Sequence, residues 1–294
     1  MIWSGSFSTT KPGIVELFEN LEFTAVVSDF ARWIVAQKRR TRPAGLYVAG
    51  VTGSIGRGKS TFCRALVSAL NTLLKPDEGQ AITRSLDDYY LPKALRYSPE
   101  FLARGYNLPG ISNRGPAGTH DLPALQADMD AFEKSSDSSV FQLMTFDKQS
   151  DNRLPERLDM RGKIGVLLLE GWFVGASTDV EAGKWPPGLK RSVALALSGY
   201  KPFFDRLDAL WAFKPVPMET IFRNRLEQQQ TLDHQSGRTG MTPEEIRRFV
   251  RYFYEDSWEA GLDSPIPPDR HVSFWADVDE AHRFISLEPG KRPL

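Results

Sequence analysis

Hydrophobic and polar positions alternate along the chain in blocks that predict strands separated by helices. The apolar runs at residues 46–51 and 164–169 are typical of strands, and the second has no polar face, as expected of a central parallel strand. After the first run, Phe62, Leu66 and Leu70 recur at helical spacing. This order predicts an α/β fold with a mostly parallel central sheet and helices on both faces.

The same pattern assigns the two ends of the chain. Residues 14–40 predict two helices packed on the edge of the sheet, and we treat residues 1–44 as an N-terminal helical extension. Residues 45–294 then form a single domain. A polar helix at 218–232 and a second helix after the capping box at 242–245 predict a helical lid over about 225–265. Residues 272–275 are expected to form the last strand.

Composition narrows the functional classes. Lys and Arg together number 37, as do Asp and Glu, so no net field favours nucleic acid or an anionic membrane as partner. The single Cys63 excludes an intrachain disulfide and fits a reducing compartment. With no secretory pattern at the N-terminus and no membrane-spanning run, we expect a cytoplasmic location. Nothing in the pattern indicates an oligomeric state.

The strongest chemical signal is the stretch between the first strand and its helix. It consists of Gly53, Ser54, Ile55, Gly56, Arg57, Gly58, Lys59, Ser60 and Thr61. The spacing G-x-x-x-x-G-K-[ST] in strand–loop–helix context predicts a phosphate-binding loop, whose glycines let backbone N–H groups approach phosphates. We therefore expect a nucleoside triphosphate, with Lys59 between its β- and γ-phosphates and the Ser60 hydroxyl on Mg²⁺.

Acidic residues follow two of the predicted strands. Asp87 and Asp88 come after the strand at 80–86, and Glu170 ends the run at 163–169. Ligands of open α/β sheets bind at this edge, where a carboxylate holds Mg²⁺ or accepts the proton of an attacking hydroxyl. Glu170 is predicted to organise Mg²⁺. The alternative for Asp87 and Asp88 is that they only cap a turn.

Further candidates lie in the loops and in the lid. Residues 93–120, rich in Gly, Pro and Arg, are expected to form a binding loop. Asp121 at its end either contacts a substrate or caps the next helix. A weaker strand from residue 141 ends in Asp147 and Lys148. Arg225 and Arg238 of the lid are candidates to stabilise transferring charge, with a solvated salt bridge as the alternative.

Several segments follow the phosphate-binding loop in a fixed order: residues 85–91 (SLDDYYL), 114–121 (RGPAGTHD), 146–148 (FDK), 169–175 (LEGWFVG), 224–228 (NRLEQ) and 240–245 (GMTPEE). Their order resembles that found in D-glycerate 3-kinases and related kinases. Over residues 45–275 the chain resembles the group of P-loop kinases that includes uridine kinase, pantothenate kinase and phosphoribulokinase. The resemblance implies a three-layer P-loop NTPase fold with ATP and Mg²⁺, and Asp87 as general base. It also implies an acceptor pocket drawn from Tyr90, Arg114, Thr119, His120, Asp147 and Lys148, to which we add Asp88 and Asp121 as candidates.

The activity implied is transfer of the γ-phosphate of ATP to a hydroxyl of a small acceptor, D-glycerate before others. Arg114, His120, Lys148 and Arg153 would supply positive charge to the carboxylate of such an acid. Residues 146–153 are shorter than the corresponding family segment and lack its glycines, so nucleosides, pantothenate-like compounds and other sugar acids remain alternatives. An ATPase or a nucleotide-binding protein without an acceptor is the other reading, although neither N-K-x-D nor L-S-G-G-Q is present.

Overall fold

The structure, a computed structural model, describes residues 21–106, 113–237, 239–253, 272–279 and 281–290. The strands are β1 (Tyr47–Thr52), β2 (Gln80–Ser85), β3 (Val140–Leu143), β4 (Phe146–Asp147), β5 (Asn152–Arg153), β6 (Leu158–Arg161), β7 (Ile164–Gly171), β8 (Ala209–Phe213), β9 (Phe274–Val278) and β10 (Phe284–Pro289). The helices are α1 (Phe23–Thr41), α2 (Lys59–Leu73), α3 (Lys93–Arg96), α4 (Pro99–Leu102), α5 (Leu122–Glu133), α6 (Leu189–Leu197), α7 (Lys201–Phe204), α8 (Met218–Ser236) and α9 (Pro243–Arg251). None of the helices in these ranges is both long and apolar enough to cross a bilayer.

A mostly parallel sheet runs through the centre of the described chain in the order β10-β9-β8-β1-β7-β2. β1 pairs in parallel with both β7 and β8, and only β10 at the edge is antiparallel to its neighbour. Every residue of β7 is buried, which confirms the strand predicted from its unbroken apolar run. The predicted α/β fold is therefore the fold of this chain.

Alternate residues of the central strands build two separate cores. In β7, Leu167 and Leu169 face a core that α5, α6 and α9 cover, whereas Val166 and Leu168 face a second core under α1 and α2. Side chains of neighbouring strand residues point to opposite faces of a sheet, so one strand supplies both cores. The layers are helix, sheet and helix.

Helix α1 corresponds to the second of the two helices predicted within residues 14–40, but its position differs from the prediction. It runs from Phe23 to Thr41 and lies on a face of the sheet, where Phe30 contacts Trp211 of β8 with ring centroids 4.5 Å apart. Edge packing was the wrong inference, because Val26, Phe30 and Ile34 form a stripe that is completely buried. Residues 14–20 lie outside the described residues.

The C-terminal strand assignment also needs correction. The strand predicted at 272–275 is β9, which begins at Phe274 and continues to Val278, and it is followed by the antiparallel strand β10. β10 was missed because its sequence, FISLEP, carries an acid and a proline and alternates burial only weakly.

Between β2 and β7 the chain leaves the central sheet for residues 86–163. The weaker strand predicted from residue 141 is divided here into β3, which pairs with β6, and β4, which pairs with β5, in two small antiparallel sheets. β2 and β7 themselves are parallel neighbours. The segment therefore starts at the carboxyl edge of the sheet, after Ser85, and returns to the opposite edge at Ile164.

Candidate active site

The phosphate-binding loop connects β1 to α2. Gly56 and Gly58 have φ angles of 74° and 78°, in the left-handed region that glycine adopts at low cost. A Cβ atom on Gly56 would lie 2.7 Å from Cβ of Asn224, so the loop is packed against α8. Lys59 donates from Nζ to the Ser54 carbonyl at 2.9 Å, which holds its ammonium group over the loop, and burial lowers the pKa of Lys59.

Ser60 and Glu170 form the oxygen-donor pair of the site. The Ser60 hydroxyl donates to Oε1 of Glu170 at 2.7 Å, because β1 and β7 are adjacent and register Val51 opposite Glu170. A hydroxyl and a carboxylate are suitable ligands for Mg²⁺, which proteins commonly bind with one or two carboxylates together with substrate phosphates. In the described ranges no group of three acidic, His or Cys side chains is placed to hold a metal by itself.

Asp87 lies on the short 3-10 turn Leu86–Tyr89 that follows β2. Its carboxylate is 2.6 Å from Nζ of Lys148 and accepts a hydrogen bond from the Tyr90 hydroxyl. Burial alone would raise the pKa of Asp87, but Lys148 and Tyr90 together hold that pKa well below its usual range. The negative charges of Glu170 and Asp87 both act on Lys59 and favour its protonated form, so the three groups lie in one site.

His120 and Tyr90 form an aromatic wall next to Asp87. A bridge between the two backbones, with Leu91 N–H donating to the Thr119 carbonyl at 2.9 Å, brings the side chains together. The rings of Tyr90 and His120 stack with centroids 4.6 Å apart, and Phe146 packs edge-on against Tyr90. Burial lowers the pKa of His120 to about 3, so this imidazole is neutral at physiological pH.

The predicted cations of the acceptor pocket have internal partners. Asp151 lies between two buried arginines, 3.0 Å from Arg96 and 2.5 Å from Arg114. Arg153 pairs with Asp121 at 2.8 Å. The positive charge expected of His120 needs correction, because its imidazole is uncharged. Lys148 and Arg153 each pair with a carboxylate, and Arg114 shares Asp151 with Arg96, so their role toward a substrate carboxylate stays a prediction.

Four other predicted acceptor residues are engaged in local structure. Asp88 accepts the Ser85 N–H at 3.0 Å, Asp121 caps α5 through the Ala124 N–H at 3.1 Å, and Asp147 accepts two backbone N–H groups of its own turn. Thr119 is fully buried and donates to the Pro116 carbonyl at 2.7 Å. The capping alternatives describe the hydrogen bonds that Asp88 and Asp121 make in this structure, and a place for these four residues in an acceptor pocket stays a prediction.

Arg225 lies on α8 beside the phosphate-binding loop. Its side chain is buried and donates from Nη2 to Gln229 at 2.9 Å, while Nη1 has no hydrogen-bond partner among the described residues. Burial and the nearby charge of Arg114 lower its pKa to about 10, so Arg225 stays protonated and retains unused hydrogen-bonding capacity next to the loop. Arg238 lies outside the described residues.

Arg57 has a different role from its neighbours in the loop. Its buried side chain points away from the loop, donates to the Val278 carbonyl at 2.9 Å and lies 3.9 Å from Asp277. From the same side, Nε2 of His282 is 2.6 Å from the Gly56 carbonyl. The β9–β10 hairpin thus holds the loop at two points, and a cavity of about 920 Å³ lies between this hairpin and the start of α2.

Several residues of the site carried no readable sequence signal. Asp151 was visible only as an acid in the segment that departs from the family pattern, and its partners Arg96 and Arg114 are more than thirty positions away in the chain. Tyr200, which contacts His120 at 2.7 Å, and His282 fall outside every motif. Contacts between distant segments define these roles, and local patterns do not report such contacts.

The fold and the phosphate-binding loop together define a protein of the P-loop class. A phosphate-binding loop heads the first helix after β1, and carboxylates follow β2 and end β7 at the same edge of a parallel sheet. No family model matches the chain.

Comparison with known proteins narrows the class to a family. The chain is 30% identical over 234 residues to an uncharacterized kinase of Schizosaccharomyces pombe, mug58, covering 74% of this chain and 82% of that protein. It is 28% identical over 255 residues to the chloroplastic D-glycerate 3-kinase of Arabidopsis thaliana, covering 81% of this chain but only 54% of that protein. The structure of D-glycerate 3-kinase from Cryptococcus neoformans matches with a TM-score of 0.61 at 22% identity, over 90% of this chain and 99% of that one. The chain belongs to the glycerate kinase-like P-loop kinases.

Proposed function

We propose that this protein transfers the γ-phosphate of Mg²⁺·ATP to a hydroxyl group of a small acceptor, with D-glycerate as the first candidate. The observation that carries the proposal is the placement of Asp87, an ionised carboxylate, in the same site as Lys59 of the phosphate-binding loop. A general base beside the phosphate lysine is the arrangement that phosphoryl transfer to an alcohol requires. Two relatives named as D-glycerate 3-kinases support the acceptor.

On the nucleotide side, the loop N–H groups and Lys59 would bind the phosphates. Ser60 and Glu170 would hold Mg²⁺, which neutralises charge on the phosphate oxygens when bound. The cavity between the β9–β10 hairpin and α2 has room for the base and ribose, since it opens beside Thr61 of the loop.

On the acceptor side, Asp87 would accept the hydroxyl proton while Lys148 keeps it ionised until the acceptor binds. Arg225 is the buried cation with an unused N–H next to the loop, and it would stabilise the charge of the transferring group. The carboxylate of D-glycerate would need a cationic partner. This partner would be Arg225, or Arg114 if the substrate carboxylate replaced Asp151 beside it, because Lys148 and Arg153 are paired with other carboxylates.

The test is ADP release from Mg²⁺·ATP across a panel of alcohols headed by D-glycerate, with Asp87→Asn and Asp88→Asn compared. We expect turnover that depends on the acceptor. Loss of the base should lower kcat by about 10²–10⁴-fold at unchanged ATP affinity. Asp88→Asn is the matched control, because it is the neighbouring acid with a capping role, and it should stay within a few-fold of wild type.

Two results would contradict the proposal. Hydrolysis that does not depend on any added alcohol would show an ATPase, and near wild-type turnover in Asp87→Asn would remove the proposed base. Turnover with a nucleoside or another sugar acid but not with D-glycerate would keep the kinase and change its acceptor.

A further inference from the structure

Tyr200 makes a contact with His120 that the proposed chemistry has not yet used. It ends the 3-10 turn Ser198–Tyr200 between α6 and α7 and is fully buried. Its hydroxyl oxygen is 2.7 Å from Nδ1 of His120 and accepts the N–H of Gly118 at 3.1 Å. The Ser198–Tyr200 turn and the segment around His120, 80 positions apart in the chain, are therefore in contact through Nδ1 of His120.

The direction of the Tyr200–His120 hydrogen bond follows from counting protons. Burial raises the pKa of Tyr200 above its ordinary value, so the phenol keeps its proton. Its oxygen already accepts from Gly118, which leaves the O–H proton to be donated, and Nδ1 of His120 is the acceptor within reach. A neutral imidazole that accepts at Nδ1 carries its proton on Nε2.

The Nε2 atom of His120 is buried and has no hydrogen-bond partner among the described residues. The ring to which it belongs stacks on Tyr90, whose hydroxyl bonds to Asp87, and the imidazole is near enough to Asp87 for their charges to interact. Buried donors in native proteins normally have a partner, and those without one require an explanation. An oxygen of a ligand bound next to Asp87 would be such a partner for Nε2 of His120.

We propose that Tyr200 is a positioning residue that fixes His120 as its Nε2–H tautomer, so that this N–H donates to an oxygen of the phosphate acceptor. The identity of the ligand rests on the proposed function, whereas the tautomer does not. A neutral donor recognises a hydroxyl or carboxylate oxygen by hydrogen-bond geometry, without contributing positive charge.

The first experiment is ¹⁵N NMR of the imidazole groups in the full chain. There are four histidines, and the His120→Gln variant identifies which signals belong to His120. We expect neutral His120 with its proton on Nε2 in the wild type between pH 6 and 8. In Tyr200→Phe the two tautomers should mix. Tyr106→Phe is the matched control, since this equally buried hydroxyl donates to the Ala117 carbonyl at 2.6 Å and has no bond to His120.

A proton on Nδ1 in the wild type would overturn the tautomer assignment, and that spectrum alone decides it even if Tyr200→Phe does not fold. An unchanged tautomer in Tyr200→Phe would show that Tyr200 does not set it.

The second experiment tests the ligand with D-glycerate and ADP·Mg²⁺ as probes. We expect the Nε2–H signal to shift on addition of D-glycerate, and Tyr200→Phe to raise the KM for D-glycerate about tenfold with the KM for ATP unchanged. Turnover of D-glycerate without that shift would overturn the ligand assignment. If no alcohol is phosphorylated, the proposed function and the ligand assignment both fail, while the NMR comparison still decides the role of Tyr200.

Discussion

At the scale of single residues, the state of Asp87 depends on Lys148. The carboxylate is partly buried, which disfavours its charge, and a half-exposed ammonium 2.6 Å away reverses that preference. The low pKa makes Asp87 an ionised group throughout the neutral range but a weak base while the pair is intact. In the proposed mechanism, binding of the acceptor loosens this ion pair.

Lys148→Met should move the acidic limb of the pH–rate profile. Without the ammonium, burial raises the pKa of Asp87, so the base becomes protonated and activity is lost at a higher pH as the pH falls. We expect a displacement of about 1–3 pH units in kcat/KM. Lys134→Met, an exposed lysine at the end of α5, is the control and should leave the profile unchanged. Identical acidic limbs in both variants would contradict the coupling.

Sequence motifs predicted some residues of the site and not others, for a physical reason. Lys59, Ser60 and Glu170 follow from the loop spacing and from strands that lie side by side, so local patterns are enough to predict that Ser60 and Glu170 meet. The direction of a side chain in a turn depends on which backbone N–H groups are near, and this was not readable for Asp88 or Asp147. The ion pair of Arg114 is with an acid 37 residues away in the chain.

At the scale of secondary-structure elements, the β9–β10 hairpin is a support for the phosphate-binding loop. Arg57 reaches from the loop to Val278, and His282, at a φ of 60°, reaches back to Gly56. The contacts of Arg57 thus involve a hairpin whose second strand was not predicted. Both contacts connect the loop to this hairpin.

Arg57→Met should weaken binding of Mg²⁺·ATP by about tenfold, because the loop loses its charge-assisted hydrogen bond to the hairpin. Isothermal titration calorimetry measures the affinity. Arg32→Ala, which removes an arginine on the exposed side of α1, should bind ATP as the wild type does. If Arg57→Met also retained wild-type affinity, the hairpin would have no part in holding the loop.

Helix α1 is an integral part of the core under the sheet. Phe30 contacts the rings of Trp33, Phe62, Trp211 and Phe274. Phe30→Ala should lower the free energy of unfolding by about 3–5 kcal/mol, measured by urea denaturation. Leu195→Ala on α6, where the side chain is 61% exposed, should change it by less than about 0.5 kcal/mol. A loss below about 1 kcal/mol for Phe30→Ala would show that α1 is a dispensable extension.

At the scale of the whole molecule, two cores share one sheet, so ligand binding at its carboxyl edge should stabilise the entire chain. Saturating Mg²⁺·ATP is expected to raise Tm by several degrees, since a ligand that binds only the folded state adds its binding free energy to stability. Calorimetry with and without EDTA measures the share that depends on Mg²⁺. In Glu170→Gln, most of the Mg²⁺-dependent rise in Tm should be lost. A rise as large as that of the wild type would exclude Glu170 from the metal site.

The layered architecture was predictable because it depends on repeated local patterns, such as the fully apolar β7 and the loop before α2. The sequence did not predict that α1 packs on a face of the sheet or that β10 is added at its edge. Both features depend on which surfaces remain available after the parallel strands have paired.

The excursion of residues 86–163 between β2 and β7 has a consequence for how such enzymes diversify. Asp87, Tyr90, His120 and Lys148 all lie within it, whereas the phosphate-binding loop and the β9–β10 hairpin lie outside. Changes confined to this segment would alter the acceptor side and leave the phosphate-binding loop and the hairpin as they are. A new acceptor then requires changes in one continuous stretch of gene, together with the few residues, such as Tyr200, that support it from elsewhere in the chain.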